Sequence, residues 1–202
     1  MGLERLIVKG RVNILGVVAA ILNLIVPFMS GPWWILKGGS GFLEVLCSPF
    51  NISITVLGRV VEVPIIPYIT LASRILIVVS SIMLLSGSLI ANREFGLSLV
   101  KASYSKPLTL TVLFTITLLL ASKLVPQKLI PELAGVNIEI PVIGEKTLTL
   151  KVNVSGREVL VVAPIVAKLT TWYYIVWIPS LTSLISGIIH KLVFSHIHYS
   201  RR

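Results

Sequence analysis

The chain has 202 residues, 55% of them hydrophobic and 13% charged, with a net charge of +10. That balance excludes an ordinary soluble domain and points to a multi-pass membrane protein. A single cysteine, Cys47, excludes an internal disulfide framework, and no aromatic-interleaved basic patch supports nucleic acid as a partner.

Taken in chain order, the first apolar stretch covers about 12–28 and follows Arg5, Lys9 and Arg11. No small-x-small cleavage site comes after it, so it reads as a retained span, not a signal peptide. Three further apolar stretches cover about 66–90, 108–125 and 172–194. A bilayer core takes about 17–25 helical residues, so four spans are expected. Between them lie two long loops, 31–65 and 126–171, rich in β-forming residues.

The chain repeats itself at an offset of about 98 residues. Val56-Leu57-Gly58-Arg59-Val60-Val61-Glu62-Val63 returns as Val154-Ser155-Gly156-Arg157-Glu158-Val159-Leu160-Val161. Leu24-Ile25-Val26-Pro27 returns as Lys123-Leu124-Val125-Pro126, and Leu85-Ser86-Gly87 as Ile185-Ser186-Gly187. The expected fold class is therefore α+β: a four-helix transmembrane bundle carrying an extracellular antiparallel β-sandwich or six-stranded sheet. It is built as a parallel tandem duplication, with repeats 1–101 and 102–202 each reading helix, three strands, helix.

Orientation follows from the cations. Arg5, Lys9, Arg11, Arg93, Lys101, Lys106, Lys191, Arg201 and Arg202 fall on the side of the two termini, against Glu4 and Glu94. Both termini are expected in the cytoplasm of a plasma-membrane protein, with that basic face against anionic lipid headgroups. Trp33, Trp34, Trp172 and Trp177 gather where the outer interface falls. The sequons at Asn51 and Asn153 lie in the outer loops, where glycosylation is possible.

In the outer loops, Gly58-Arg59 and Gly156-Arg157 are read as two-residue type II′ turns. That register sets Val56 opposite Val61 and Ile54 opposite Val63, then Val154 opposite Val159 and Val152 opposite Val161. A third strand is expected near 42–46 and near 136–142. The tetraspan layout with an outer β-layer resembles, in topology, the claudin and peripheral-myelin group. That group's first loop carries a Cys pair near a Trp motif, whereas Cys47 stands alone behind Trp33 and Trp34. Its second loop is normally the shorter one, which does not hold here. None of its barrier or pore functions is carried over.

Each span carries a small or polar stripe: Asn13, Gly16, Ala20 and Asn23; Ser73, Ser80 and Gly87; Thr111, Thr115 and Ser122; Ser183, Ser186 and His190. Helix packing explains such stripes, since small residues let backbones approach and amides or hydroxyls bond across the seam. No span holds a carboxylate for proton or cation coupling. Arg74, the one charge inside an apolar span, reads as snorkelling to the outer interface. His190, His196 and His198 lack the Cys or acid that would complete a metal set. No catalytic set, cofactor motif or metal spacing is found.

The expected function is non-enzymatic: an accessory or structural subunit whose extracellular β-module contacts a protein partner, a second copy or the cell surface. The alternative is a small channel or carrier using the polar stripe of Asn13, Asn23, Thr111, Thr115, Ser183 and Ser186.

Overall fold

The computed structural model describes residues 8–9, 12–29, 31–39, 41–124, 140–154 and 157–199. Among these the chain forms β1 (Val8–Lys9), β2 (Val12–Asn13), α1 (Ile14–Ile25), a 3-10 turn (Val26–Phe28), β3 (Trp34–Gly38), β4 (Leu43–Ser48), β5 (Asn51–Val56) and β6 (Arg59–Val60). It continues as α2 (Ile66–Leu89), α3 (Glu94–Ser103), α4 (Lys106–Leu124), β7 (Gly144–Val154), β8 (Arg157–Leu169) and α5 (Thr171–Tyr199).

Two compact units emerge. A helical unit comprises Met1–Ser30, Pro67–Val112 and Tyr174–Arg202, and a sheet unit comprises Gly31–Ile66 and Leu113–Tyr173. Each unit draws on both halves of the sequence.

Three helical stretches are long and apolar enough to cross a membrane: Ile66–Leu89, Glu94–Lys123 and Thr171–Val193. The expected first span is a shorter apolar helix, Ile14–Phe28. Two local features set its length. Asn13 is extended and its side chain caps the Gly16 amide, which fixes the start. Pro27 has no N–H to give and sits in the closing 3-10 turn. At 1.5 Å per residue the helix is roughly 22 Å long, against a hydrocarbon core of about 30 Å. Helix α3 also departs from expectation, because its Glu94 and Lys101 read as loop charges. They stand in its first and last turns, where each complements the helix dipole.

Inside the helical unit, Ala19, Ala20, Leu84 and Val100 are buried together, with Leu85 and Tyr104 packed on them. Small residues allow this approach. A Cβ on Gly87 would meet the Gly96 carbonyl at 2.8 Å, and one on Gly187 would run into the Tyr104 ring.

The sheet unit holds a single antiparallel sheet in the order β6-β5-β4-β3-β8-β7. Of the two expected forms, the six-stranded sheet is therefore the one present. Among the described residues β3 to β6 come from the first half of the chain and β7 and β8 from the second. The strand expected near 42–46 is β4. Its counterpart near 136–142 lies mostly outside the described residues, and 140–142 is not strand.

Both hairpin registers differ from expectation by two residues, and in the same way. Val56 pairs with Arg59 and Thr55 with Val60, while Val154 pairs with Arg157 and Val152 with Val159. The turn in the first hairpin is Leu57-Gly58, with φ of 52° and 75°, so Arg59 joins the ladder. Two successive positive φ values define a type I′ turn, whose twist suits the flanking strands. Gly156, the other proposed turn residue, is outside the described residues. A shift of two preserves which face each side chain takes.

One sheet face is apolar. Trp34, Leu36, Ala163, Ile165 and Ala167 are buried with Leu118 of α4, and Leu43, Val45, Cys47, Phe114 and Val142 pack around them. The opposite face carries Lys37 bonded to Glu44 at 2.9 Å, both substantially exposed. Such a pair contributes at most about 1 kcal/mol.

Leu57 is a branched residue in the left-handed region and is 77% exposed. Asn tolerates that conformation far better. Leu57→Asn is expected to stabilise the sheet unit by about 0.5–1 kcal/mol, read as a rise in the unfolding midpoint in mild detergent.

Candidate functional site

The candidate site is the polar seam of the helical unit, where α1 meets α5. Asn13 and Asn23 are 0% and 1% exposed. At Asn13, Oδ1 accepts from the Gly16 amide at 3.1 Å. Its Nδ2 donates to the Ser186 carbonyl at 3.3 Å and to Ser186 Oγ at 3.1 Å, and lies 3.3 Å from His190 Nδ1. At Asn23, Nδ2 donates to Ser183 Oγ at 2.6 Å, to the Pro179 carbonyl at 3.2 Å and to the Ala19 carbonyl at 2.8 Å. A third contact joins Thr111 Oγ1 to Ser180 Oγ at 3.2 Å.

The helical period brings these groups together. Asn13, Gly16, Ala20 and Asn23 fall on one face of α1. Ser180, Ser183 and Ser186, with His190 (1% exposed), form the answering face of α5. Pro179 lies inside α5 and removes one bond from its backbone ladder, and the Asn23 amide binds the carbonyl of this same proline. Bonds of this kind between membrane helices contribute roughly 0.6–2 kcal/mol each.

Of the six residues expected in the stripe, five share the helical unit: Asn13, Asn23, Thr111, Ser183 and Ser186. Thr115 does not join them. It belongs to the sheet unit, where its hydroxyl bonds Tyr173 Oη at 2.8 Å. Two members of the seam were missed. Ser180 was hidden beside Pro179. Ser88 follows Gly87 and carries a buried hydroxyl without a hydrogen-bond partner among the described residues. A Cβ on Gly16 would collide with Ser88 Oγ and approach Ser186 Oγ at 2.8 Å. The register of serines and glycines along α2 was the available signal.

Residues expected at an outer contact surface divide. Trp33 and Trp34 are 3% and 6% exposed and form the interior of the sheet unit, which corrects their reading as contact residues. Trp33 meets Phe114 edge-on at 5.1 Å and Phe50 at 5.7 Å, contacts worth about 0.5–1.5 kcal/mol beyond area burial. Trp34 Nε1 donates to the Val142 carbonyl at 2.7 Å. The indole of Trp172 covers Gly31 and leaves no room for a side chain there, while Trp177 is half-buried. Arg74 is exposed on α2 among the exposed residues Leu71, Ile75 and Leu76. Asn51 is exposed at the β4–β5 turn, whose backbone is tied by Ser48 Oγ. Asn153 lies in β7 opposite Glu158.

Burial pushes the Cys47 thiol up to about 11, so it is a packing residue on the apolar sheet face. Among the described residues, no three His, Cys, Asp or Glu side chains converge on a point where a metal could sit. These features define an α+β protein with three helices fit to cross a membrane and a buried polar seam. No protein-family model matches the chain, and no curated protein matches its sequence.

Two outcomes are expected. Gly16→Ala forces Ser88 to move and lowers stability by about 1–3 kcal/mol. Adding Ser88→Ala removes the obstructing oxygen and restores part of the loss, read as Tm of the single and double variants in the same detergent. Second, alkylation of Cys47 at pH 8 runs roughly two- to three-hundredfold slower than that of a small thiol titrating near 8.5. Full reactivity returns in denaturant.

Proposed function

We propose that this is a non-enzymatic integral membrane protein that acts through its β-module, as an accessory or structural subunit binding a protein partner, a second copy or the cell surface. Both termini are placed in the cytoplasm of a plasma-membrane protein, the basic face on anionic headgroups and the sheet outside. The two halves are read as a tandem duplication, and the common register of the β5–β6 and β7–β8 hairpins supports that reading.

The observation that carries the function is the state of the polar seam. The carboxamides of Asn13 and Asn23 are buried and engaged by serine hydroxyls and carbonyls of α5. These groups hold helices together, and the extended strands of the sheet unit offer backbone groups for recognition. Among the described residues its β7 is an eleven-residue strand bonded to β8 on one side and standing last in the sheet on the other. An edge of that length presents backbone donors and acceptors to a partner.

The test is native extraction in mild detergent followed by sizing and identification of what co-purifies. A stoichiometric foreign subunit or a stable homo-oligomer, lost on altering the β7 edge, is the expected result. A monomer with no partner overturns the proposal. In vesicles, Asn13→Leu with Asn23→Leu separates the transport reading: solute flux that disappears in the double variant would establish a channel or carrier instead.

A further inference from the structure

The orientation of the Asn13 carboxamide is fixed by two backbone groups of opposite character. Its oxygen faces the Gly16 N–H, a donor. Its nitrogen faces the Ser186 carbonyl, an acceptor. The atom turned toward His190 Nδ1 at 3.3 Å is therefore a donor, and Nδ1 must accept. An imidazole that accepts at Nδ1 is neutral and carries its proton on Nε2.

We infer that Asn13 and His190 form a proton-sensitive latch between the start of α1 and α5, closed when His190 is neutral and released when it is protonated. A proton on Nδ1 sets N–H against N–H across this contact. Turning the amide over offers oxygen to the imidazole, but it also sets Nδ2 against the Gly16 N–H and Oδ1 against the Ser186 carbonyl. Both backbone bonds are then lost, and with them the cap of α1. No other rotation of Asn13 meets all three neighbours, because the packing is tight. Ser88 Oγ lies against Gly16, and Asn13 and His190 are buried. A single proton is thereby coupled to the first turn of α1.

The groups set around the latch are Asn13 from α1, Ser186 and the adjacent Lys191 of α5, and Ser88 of α2 by way of Gly16. Tyr104, between α3 and α4, enters through Gly187. Lys191, Tyr104 and Lys9, which pairs with Val12 next to Asn13, are titratable residues on the neighbouring elements, so the test must isolate the imidazole. The sign follows from which form the closed latch accepts. The neutral form is bound, so the latch is intact while the imidazole is neutral and opens as it takes up a proton with falling pH.

Two measurements decide this on the full-length protein in detergent or nanodiscs. The first is amide hydrogen exchange at Gly16, corrected for the intrinsic pH dependence of exchange. Protection is expected to fall by up to about tenfold per pH unit as the imidazole takes up its proton, the limit for one linked proton. His190→Asn, which keeps an oxygen acceptor near the Nδ1 position and cannot titrate, is expected to give a flat profile. Flat protection in the unaltered protein, or the same fall in His190→Asn, overturns the latch. The second needs no variant: nitrogen NMR of His190 at neutral pH is expected to show the Nε2–H tautomer. An Nδ1–H tautomer or a charged ring at pH 7.5 overturns it.

Discussion

Backbone groups at the ends of a helix have no partner within the helix, and in an apolar surrounding each orphan costs several kcal/mol. The helical unit resolves this constraint at Asn13 with one side chain acting in two directions. Its oxygen closes the first turn of α1, and its nitrogen binds the backbone and hydroxyl of Ser186. Because the same planar group serves both, the start of α1 is registered against α5. Ten residues on, Asn23 makes the corresponding bond to Ser183 and to the carbonyl of Pro179. Two fixed points set the translation and the rotation of α1 along α5. The glycine at position 16 then follows, since Ser88 and Ser186 occupy the space a larger residue would need.

The sheet unit rests on a different principle. Its apolar face is assembled from β3, β4 and β8, with Phe114 and Leu118 of α4 lying over it. Trp34 carries the one polar atom brought into that layer by a large side chain, and the Val142 carbonyl receives it. Trp33 is held by rings, with Phe50 from the β4–β5 turn and Phe114 meeting it edge-on. Tyr173, which also contacts Trp33, is anchored in turn by Thr115. Aromatic geometry here replaces the hydrogen bonds that organise the helical unit.

The stripes on α1 and α5 were legible because a helical period projects Asn13, Asn23, Ser183 and Ser186 onto faces of their own helices. Which serine answers which asparagine was not legible, since that depends on the offset between helices. Hydropathy overestimated the first span because it is blind to the Asn13 cap and to the missing N–H of Pro27. Gly58 marked the first turn correctly but invited a type II′ register. The deciding residue was Leu57, whose side chain gives no hint of a positive φ. Trp33 and Trp34 were read as interfacial aromatics. The neighbours that bury them, Phe114 and Ala163 among others, are far away in sequence. Thr115 lies one helical turn beyond Thr111 on α4, yet it serves the sheet, because the boundary between units falls at Val112–Leu113.

The two edges of the sheet are unequal. At one end β6 contributes only Arg59 and Val60, after which the Val61 amide still reaches back to Ile54. At the other, β7 runs for eleven residues. A sheet with two long edges can add neighbours without limit, which is how fibres grow. Among the described residues β6 covers only Thr55 and Val56 of β5, so the longer terminal strand of the sheet is β7. Among the described residues the unequal ends thus give the sheet a direction as well as a shape.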